Sequence, residues 1–243
     1  MVTENVKIAI CIIGQFARFQ PWNFKQFTED KFLFFEYGPL RFSTSSVKEG
    51  THTKRSLTDS FNLTNVKTVQ FYTSTHFESN RSTLWQYSGL KWTNIQRMYF
   101  MIRMAGIYLT NHVSGIYSHV LRLREDVRVS FDDWVRLVHV KLSCSIYVQN
   151  CNSWGGVNLR WQLMKYDTAK QLMTQYLPKL YNTTPTKNPE RFESNVMKEA
   201  GFSPCRLSHN MAFVVRYVNA SFQCVRKLEQ NCILSFPFSS CEL

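Results

Sequence analysis

The first ordered signal along the chain is an uninterrupted apolar run. Lys7 to Ile13 (KIAICII) shows no polar alternation, the pattern of a strand covered on both faces. It stops at Gly14-Gln15. Lys31 to Tyr37 (KFLFFEY) predicts a second strand, closed by Gly38-Pro39. Val66 to Tyr72 alternates and predicts a third. From Leu84 to His112 apolar residues recur at helical spacing, predicting one long helix or two joined near Gly89 or Gly106. Tyr117 to Leu123 (YSHVLRL) predicts a fourth strand, running into Arg124-Glu125-Asp126. Phe131 to Val140 reads as a helix, Ser145 to Val148 as a short strand, and Asp167 to Leu180 as a helix. Pro189 opens a helix that runs to about Ala200, with Gly201 placed as a C-cap. Met211 to Val218 predicts a last strand, and Val225 to Glu229 a basic helix.

Strands alternating with helices predict a single α/β, Rossmann-like domain over residues 1–243, with a mostly parallel central sheet flanked by helices. Residues 38–65, rich in Ser, Thr and charge, are expected to form a mobile loop or an insertion. In such sheets ligands bind beyond the carboxyl ends of the strands. Two polar segments fall there: Gly14 to Arg18, and Arg122 to Asp126.

Composition narrows the partners. With 29 Lys+Arg against 17 Asp+Glu the formal charge is +12, while 44% hydrophobic residues supply a core and exclude a disordered chain. The basic residues are scattered, not clustered, which disfavours nucleic acid as partner. The charge remains compatible with an anionic small molecule, and with peripheral association at an anionic membrane. The apolar run Ile8 to Ile13 is far short of the roughly 20 residues that span a bilayer, and no signal peptide is expected. A cytoplasmic location follows as the expectation, with a Golgi lumen set behind it. The seven cysteines contain no C-x-x-C pair and have irregular spacing, so neither a zinc site nor a disulfide framework is expected. Four N-x-[ST] sequons begin at Asn62, Asn80, Asn182 and Asn219 and matter only in a secretory lumen.

Chemistry is expected at four places. Gly14 permits close approach to backbone, Gln15 can read a base or ribose, and Arg18 can pair a phosphate. Arg122, Arg124 and Asp126 would share one face of a strand, placing two guanidiniums beside a carboxylate that could hold a divalent cation. Glu125 would then face away. Trp154-Gly155-Gly156-Val157-Asn158 suits a tight turn beside a stacking ring. Asn188-Pro189-Glu190 has the ordinary marks of a helix start.

The order of these segments resembles a family. KIAICIIGQFARF, then LWQYSGLKWTNIQRMY, YSHVLRLREDV, WGGVN and NPERFESNVMKEAGF is similar to a group of small GT-A-like glycosyltransferases of large DNA viruses, microbes and eukaryotes. The resemblance runs from Lys7 to about Arg206 and is thin over 38–65. It implies a nucleotide-sugar donor and a glycan, protein or lipid acceptor. In a viral member the place of action would be the host cytoplasm. It implies that Gly14, Gln15 and Arg18 sit at the nucleotide, and that Arg122, Arg124 and Asp126 occupy the place of the Asp-x-Asp motif. Asp126 would there hold Mn²⁺ or Mg²⁺ and the donor diphosphate. Trp154, Gly155, Gly156 and Asn158 would line the donor sugar or acceptor, with Asp126 and Glu190 as the catalytic carboxylates. Two departures stand out. Arg124 replaces the first acid of the Asp-x-Asp, and Leu159 stands where relatives often carry Asp. Metal dependence and catalytic competence are thereby put in question, and a transferase fold kept only for binding is one alternative. A basic, non-enzymatic module for nucleic acid or an anionic surface is the other.

Overall fold

A computed structural model describes residues 6–19, 21–37, 59, 62–73, 76, 94–113, 115–129, 134–135, 137, 142–149, 156–157, 159–182, 188–207, 212–218 and 221–224. A seven-stranded sheet forms the frame. Its strands are β1 (Ile8–Gln15), β2 (Asp30–Glu36), β3 (Val66–Tyr72), β4 (His119–Arg124), β6 (Ile146–Gln149), β7 (Trp161–Lys165) and β8 (Cys205–Leu207), in the order β3-β2-β1-β4-β7-β6-β8. Only β7 runs against the rest: β4 and β6 pair with it antiparallel, and every other pairing in the sheet is parallel. The expected mixed α/β architecture with a mostly parallel sheet is therefore present. A second sheet joins β5 (Val127–Val129), β9 (Ala212–Val218) and β10 (Ser221–Cys224) in the order β10-β9-β5.

The pleat of β1 explains its unbroken apolar run. Ala9, Cys11 and Ile13 join one core while Ile8, Ile10 and Ile12 join the other. Phe32 and Phe34 of β2 follow the first set, Leu33 and Phe35 the second. The first core is capped by α1 (Asn94–His112), α2 (Tyr166–Asn182) and α3 (Pro189–Glu199). The second is filled by Phe16, Phe19, Phe24, Phe27, Trp134 and Trp161. Burial on both faces removes any place for a polar alternation.

Several expectations change in detail. The described helix α1 begins at Asn94, and Gly106 lies inside it without a break. A Cβ at Gly106 would come 2.9 Å from Met173 Cβ, so this glycine serves close packing of α1 on α2. Gly89 lies outside the described residues. Of residues 38–65 only 59 and 62–65 are described, and Leu63 is buried in the second core. Trp134, Val135 and Leu137 are helical, within the helix expected over 131–140. Gly201 does terminate α3: it has φ +80°, its N–H bonds Lys198 O, and Phe202 N–H reaches back to Met197 O. Residues 225–229 lie outside the described residues. The cysteine expectation is corrected. Cys144 and Cys205 form a disulfide, with Cα atoms 6.2 Å apart. They are 61 residues apart in sequence, and only the parallel pairing of β6 with β8 brings them together. Cys11 is free and buried, as a small hydrophobe would be. Among the described residues no helix is long and apolar enough to cross a membrane.

Candidate functional site

The sheet order locates the site. After β1 the chain builds β2 and β3 on one side, then crosses to place β4 on the other side of β1. The carboxyl ends of β1 and β4 therefore flank a topological switch point, where open α/β sheets bind ligands. Ile13 is paired with Arg124 across that junction. Of the two segments singled out from the sequence, Gly14 to Arg18 is thus brought to the Arg124–Asp126 end of the second, Arg122 to Asp126.

Gly14 has φ +152°, and a Cβ there would overlap the Glu125 carboxylate. Only glycine admits both that backbone and that contact. Gln15 is half-buried at the end of β1 and precedes a short 3₁₀ turn, Phe16–Arg18. The turn delivers Arg18 to the carboxylates: it pairs with Glu125 Oε1, and its Nη1 lies 3.9 Å from Asp126 Oδ2. Arg124 donates to Asp126 Oδ2 at 2.6 Å. The arginine side chains are 37% and 29% exposed for Arg18 and Arg124, so the cluster opens to solvent on its cationic side.

Glu125 corrects the expected strand alternation. β4 ends at Arg124, and a turn at 125–126 turns Glu125 toward Arg18 instead of away. Burial raises its pKa and Arg18 only partly offsets this; neighbouring Asp126 raises it further. Burial alone would raise Asp126 too, but Arg124, Arg18 and Arg160 outweigh it and hold Asp126 below its ordinary 3.8. Arg160 was not singled out from the sequence. Its carbonyl accepts from Arg124 N–H at 3.2 Å, which ties the lead-in of β7 to the end of β4.

Arg122 is not part of this group. It lies on the helix-covered face, its side chain 3% exposed, with Nη1 and Nη2 on the two oxygens of Glu193 at 3.1 and 3.0 Å. Gln162, its register partner on β7, donates to Glu193 Oε2 at 2.8 Å. Tyr176 covers the guanidinium at 5.8 Å from its ring centroid. Arg122 thus anchors α3 to the sheet from within the core. Glu193 could have been suspected from its place one helical turn after Glu190 and beside the apolar Phe192, which puts an acid on a buried face.

That anchor fixes the start of α3, which carries Glu190. Asn188 accepts from Arg191 N–H at 3.0 Å and caps α3, with Pro189 following it and Glu190 in the first turn. Gly156 is buried directly against Glu190: a Cβ there would overlap the Glu190 carbonyl, which accepts from Val157 N–H at 3.1 Å. Arg206 of β8 holds the Gly156 carbonyl at 2.8 Å. Burial raises the Glu190 pKa and Glu193 adds to it, against the pull of Arg160 and Arg124. Glu190 is therefore within electrostatic reach of the arginine cluster. Trp154, Gly155 and Asn158 lie outside the described residues.

The donor set suits a divalent cation poorly. Among the described residues no group of three or more His, Cys, Asp and Glu is placed to hold a metal. Asp126 Oδ2 is already held by Arg124, and three guanidiniums depress its pKa. Asp126 Oδ1 is buried and has no hydrogen-bond partner among the described residues. That lone oxygen could accept a hydroxyl as well as meet a cation, and the surrounding positive charge opposes the cation.

No family model matches the chain, and no curated protein matches it in sequence. Solved structures do. The chain is similar to mouse xyloside xylosyltransferase 1 in its apo form, at 9% identity and TM-score 0.41, over 83% of this chain and 85% of that one. It is also similar to a glycosyltransferase involved in glycosylation of the major capsid of PBCV-1, at 13% identity and TM-score 0.41, over 83% and 82%. A third similar structure is the apo form of the glycosyltransferase GlyE of Streptococcus pneumoniae TIGR4, at 12% identity and TM-score 0.45, over 83% and 45%. At these identities and superposition scores, the functional reading stands on the site's own geometry.

Proposed function

We propose that the chain transfers a sugar from a nucleoside-diphosphate donor to a hydroxyl acceptor on a glycan, protein or lipid. The observation that carries this is a partly solvent-exposed guanidinium cluster at the β1/β4 switch point, with Glu190, a carboxylate whose pKa burial raises, under the influence of Arg124 and Arg160. Departure of a nucleoside diphosphate develops negative charge, and fixed cations where that charge appears lower the barrier. Arg18 and Arg124 are the solvent-facing cations at that place. Gly14 lets the donor approach the backbone, and Gln15 lies beside it for the ribose or base. Asp126 sets the orientation of Arg124 and offers Oδ1 to a donor hydroxyl. The sugar carbon passes through an oxocarbenium-like state as its bond to phosphate breaks and its bond to the acceptor oxygen forms. Glu190 takes the acceptor's proton, a role favoured by a pKa lifted toward the working pH. Gly156, pressed against Glu190, would lie on the sugar side.

The Cys144–Cys205 disulfide supports an oxidising compartment over the cytoplasm expected from the sequence. The test of activity is a panel of UDP-, GDP- and dTDP-sugars, read by donor binding and hydrolysis. Binding of at least one donor and its slow hydrolysis are expected; silence across the panel overturns the reading. Glu190→Gln should lower kcat by roughly 10²–10⁴-fold with donor affinity kept.

A further inference from the structure

We infer that the site holds its diphosphate with arginines alone, and that Asp126 is an orienting partner of Arg124 and not a metal ligand. This rests on the donor reading above and concerns how the donor is held. The first ground is charge. Arg18, Arg124 and Arg160 act on Asp126 together; counted with Glu125 and Glu190 the described cluster sets three cations against three carboxylates, but the cations are gathered at Asp126, with Arg124 donating to its Oδ2 at 2.6 Å and Arg18 Nη1 3.9 Å away. A dication placed at Asp126 would enter a field that is already positive. A diphosphate entering the same field would be drawn in.

The second ground is valence. Asp126 Oδ2 is occupied by Arg124 at 2.6 Å, and the Glu125 carboxylate is turned to Arg18 against Gly14. Neither acid presents the pair of open oxygens that a hard cation needs from a small donor set. The guanidiniums do present open valence. Arg18 Nε is buried with no hydrogen-bond partner among the described residues, and the Arg18 and Arg124 side chains are far more exposed than the carboxylates they pair with. A guanidinium carries five donors in a planar fork, so each can keep its carboxylate while donating to phosphate oxygen.

The third ground is position. Both arginines are fixed by backbone at the switch point, Arg18 by the 3₁₀ turn after β1 and Arg124 by the end of β4. The tie from Arg124 N–H to Arg160 O fixes the backbone at that end of β4 against the lead-in of β7. A long flexible cation would have to be ordered on binding, and these are ordered beforehand.

The probe is nucleoside diphosphate (UDP, GDP and dTDP) titrated calorimetrically into the full chain stripped with EDTA, then again with millimolar Mn²⁺. The expected result is binding in EDTA with affinity within about threefold of the Mn²⁺ value, and a steep loss with rising salt. Arg18→Gln, at a partly exposed position, should weaken binding about tenfold or more, a loss of about 1.4 kcal/mol. Asp126→Asn separates the two modes: arginine binding changes by the same factor in EDTA and in Mn²⁺, whereas metal-bridged binding loses its Mn²⁺ dependence and falls at least tenfold. A thermal melt of each variant confirms that it is folded. Binding that needs Mn²⁺ and collapses in Asp126→Asn overturns this inference and leaves the donor reading intact. No binding in either condition, for any of the three nucleotides, overturns both.

Discussion

Two clusters grow from one strand. Arg122 and Arg124 are two residues apart on β4, and each meets acids, yet they serve opposite ends. Around Arg122 the charges are sealed: both guanidinium arms lie on Glu193, Gln162 adds a third hydrogen bond, and neither charged side chain is more than 3% exposed. Around Arg124 the charges are left partly open: Asp126 Oδ1 and Arg18 Nε have no hydrogen-bond partner among the described residues, and both arginines reach solvent. Buried pairs that satisfy each other hold elements in place; open valence at a strand end is what a ligand can use. Two positions along β4 carry the chain from a sealed core pair to a partly solvent-exposed one.

The largest effect should come from breaking the sealed pair. Glu193→Ala leaves Arg122 buried without its counter-charge and should cost about 3–5 kcal/mol in urea unfolding. Replacing both residues by Met should restore much of that, since the pair's own desolvation cost disappears with it. If Glu193→Ala melts like the parent protein, the contrast between the clusters fails.

Next in size is the disulfide. Cys205→Ser should lose about 2–4 kcal/mol, measured as a drop in the urea midpoint that reducing agent reproduces in the parent chain. Arg206 of β8 holds the Gly156 carbonyl beside Glu190. Loosening β8 should therefore also lower transfer activity without moving donor affinity.

Smaller still is the N-cap of α3. Asn188→Ala should cost about 1 kcal/mol of stability. Its effect on kcat should exceed its effect on donor binding, because it loosens the turn that carries Glu190.

Titration gives the finest comparison. Glu190 has its folded pKa raised, so the acid limb of the rate profile should lie above the ordinary 4.5 of a glutamate and vanish in Glu190→Gln. Ionising Glu190 also costs stability as pH rises through that raised value. Asp126 runs the other way. Its folded pKa is depressed, so its contribution is present above the unfolded value near 3.8 and is lost as pH falls through the lower folded one. Acid unfolding of Asp126→Asn should accordingly be less steep than that of the parent.

The contrast also shows how far the residues alone could be read. β1 to β4, α2 and α3 were legible because each buries a continuous or periodic set of side chains of its own. β7 was not: WQLMK is short, carries a buried glutamine, and becomes a strand only by entering between β4 and β6. That Gly14, Arg18, Arg124 and Asp126 lie at the ends of apolar strands was legible from the sequence, and the structure brings them together through the pairing of β1 with β4. Arg122 was placed with them by the alternation of an ideal strand, which also turned Glu125 away. Both expectations failed for one reason, that the partner of each residue comes from a distant segment: Glu193 on α3 for Arg122, Arg18 after β1 for Glu125.

What the sequence by itself determined, then, is the set of strands and helices with two-sided or periodic burial, and the polar residues at their ends. Hydrophobic patterning is local, and a run such as Ile8 to Ile13 has one low-energy use. The tertiary structure alone decided which charge is sealed and which is open, and that Cys144 meets Cys205. Those outcomes depend on contacts between residues far apart in the chain, 71 positions for Arg122 and Glu193 and 61 for the disulfide, and no local pattern records them.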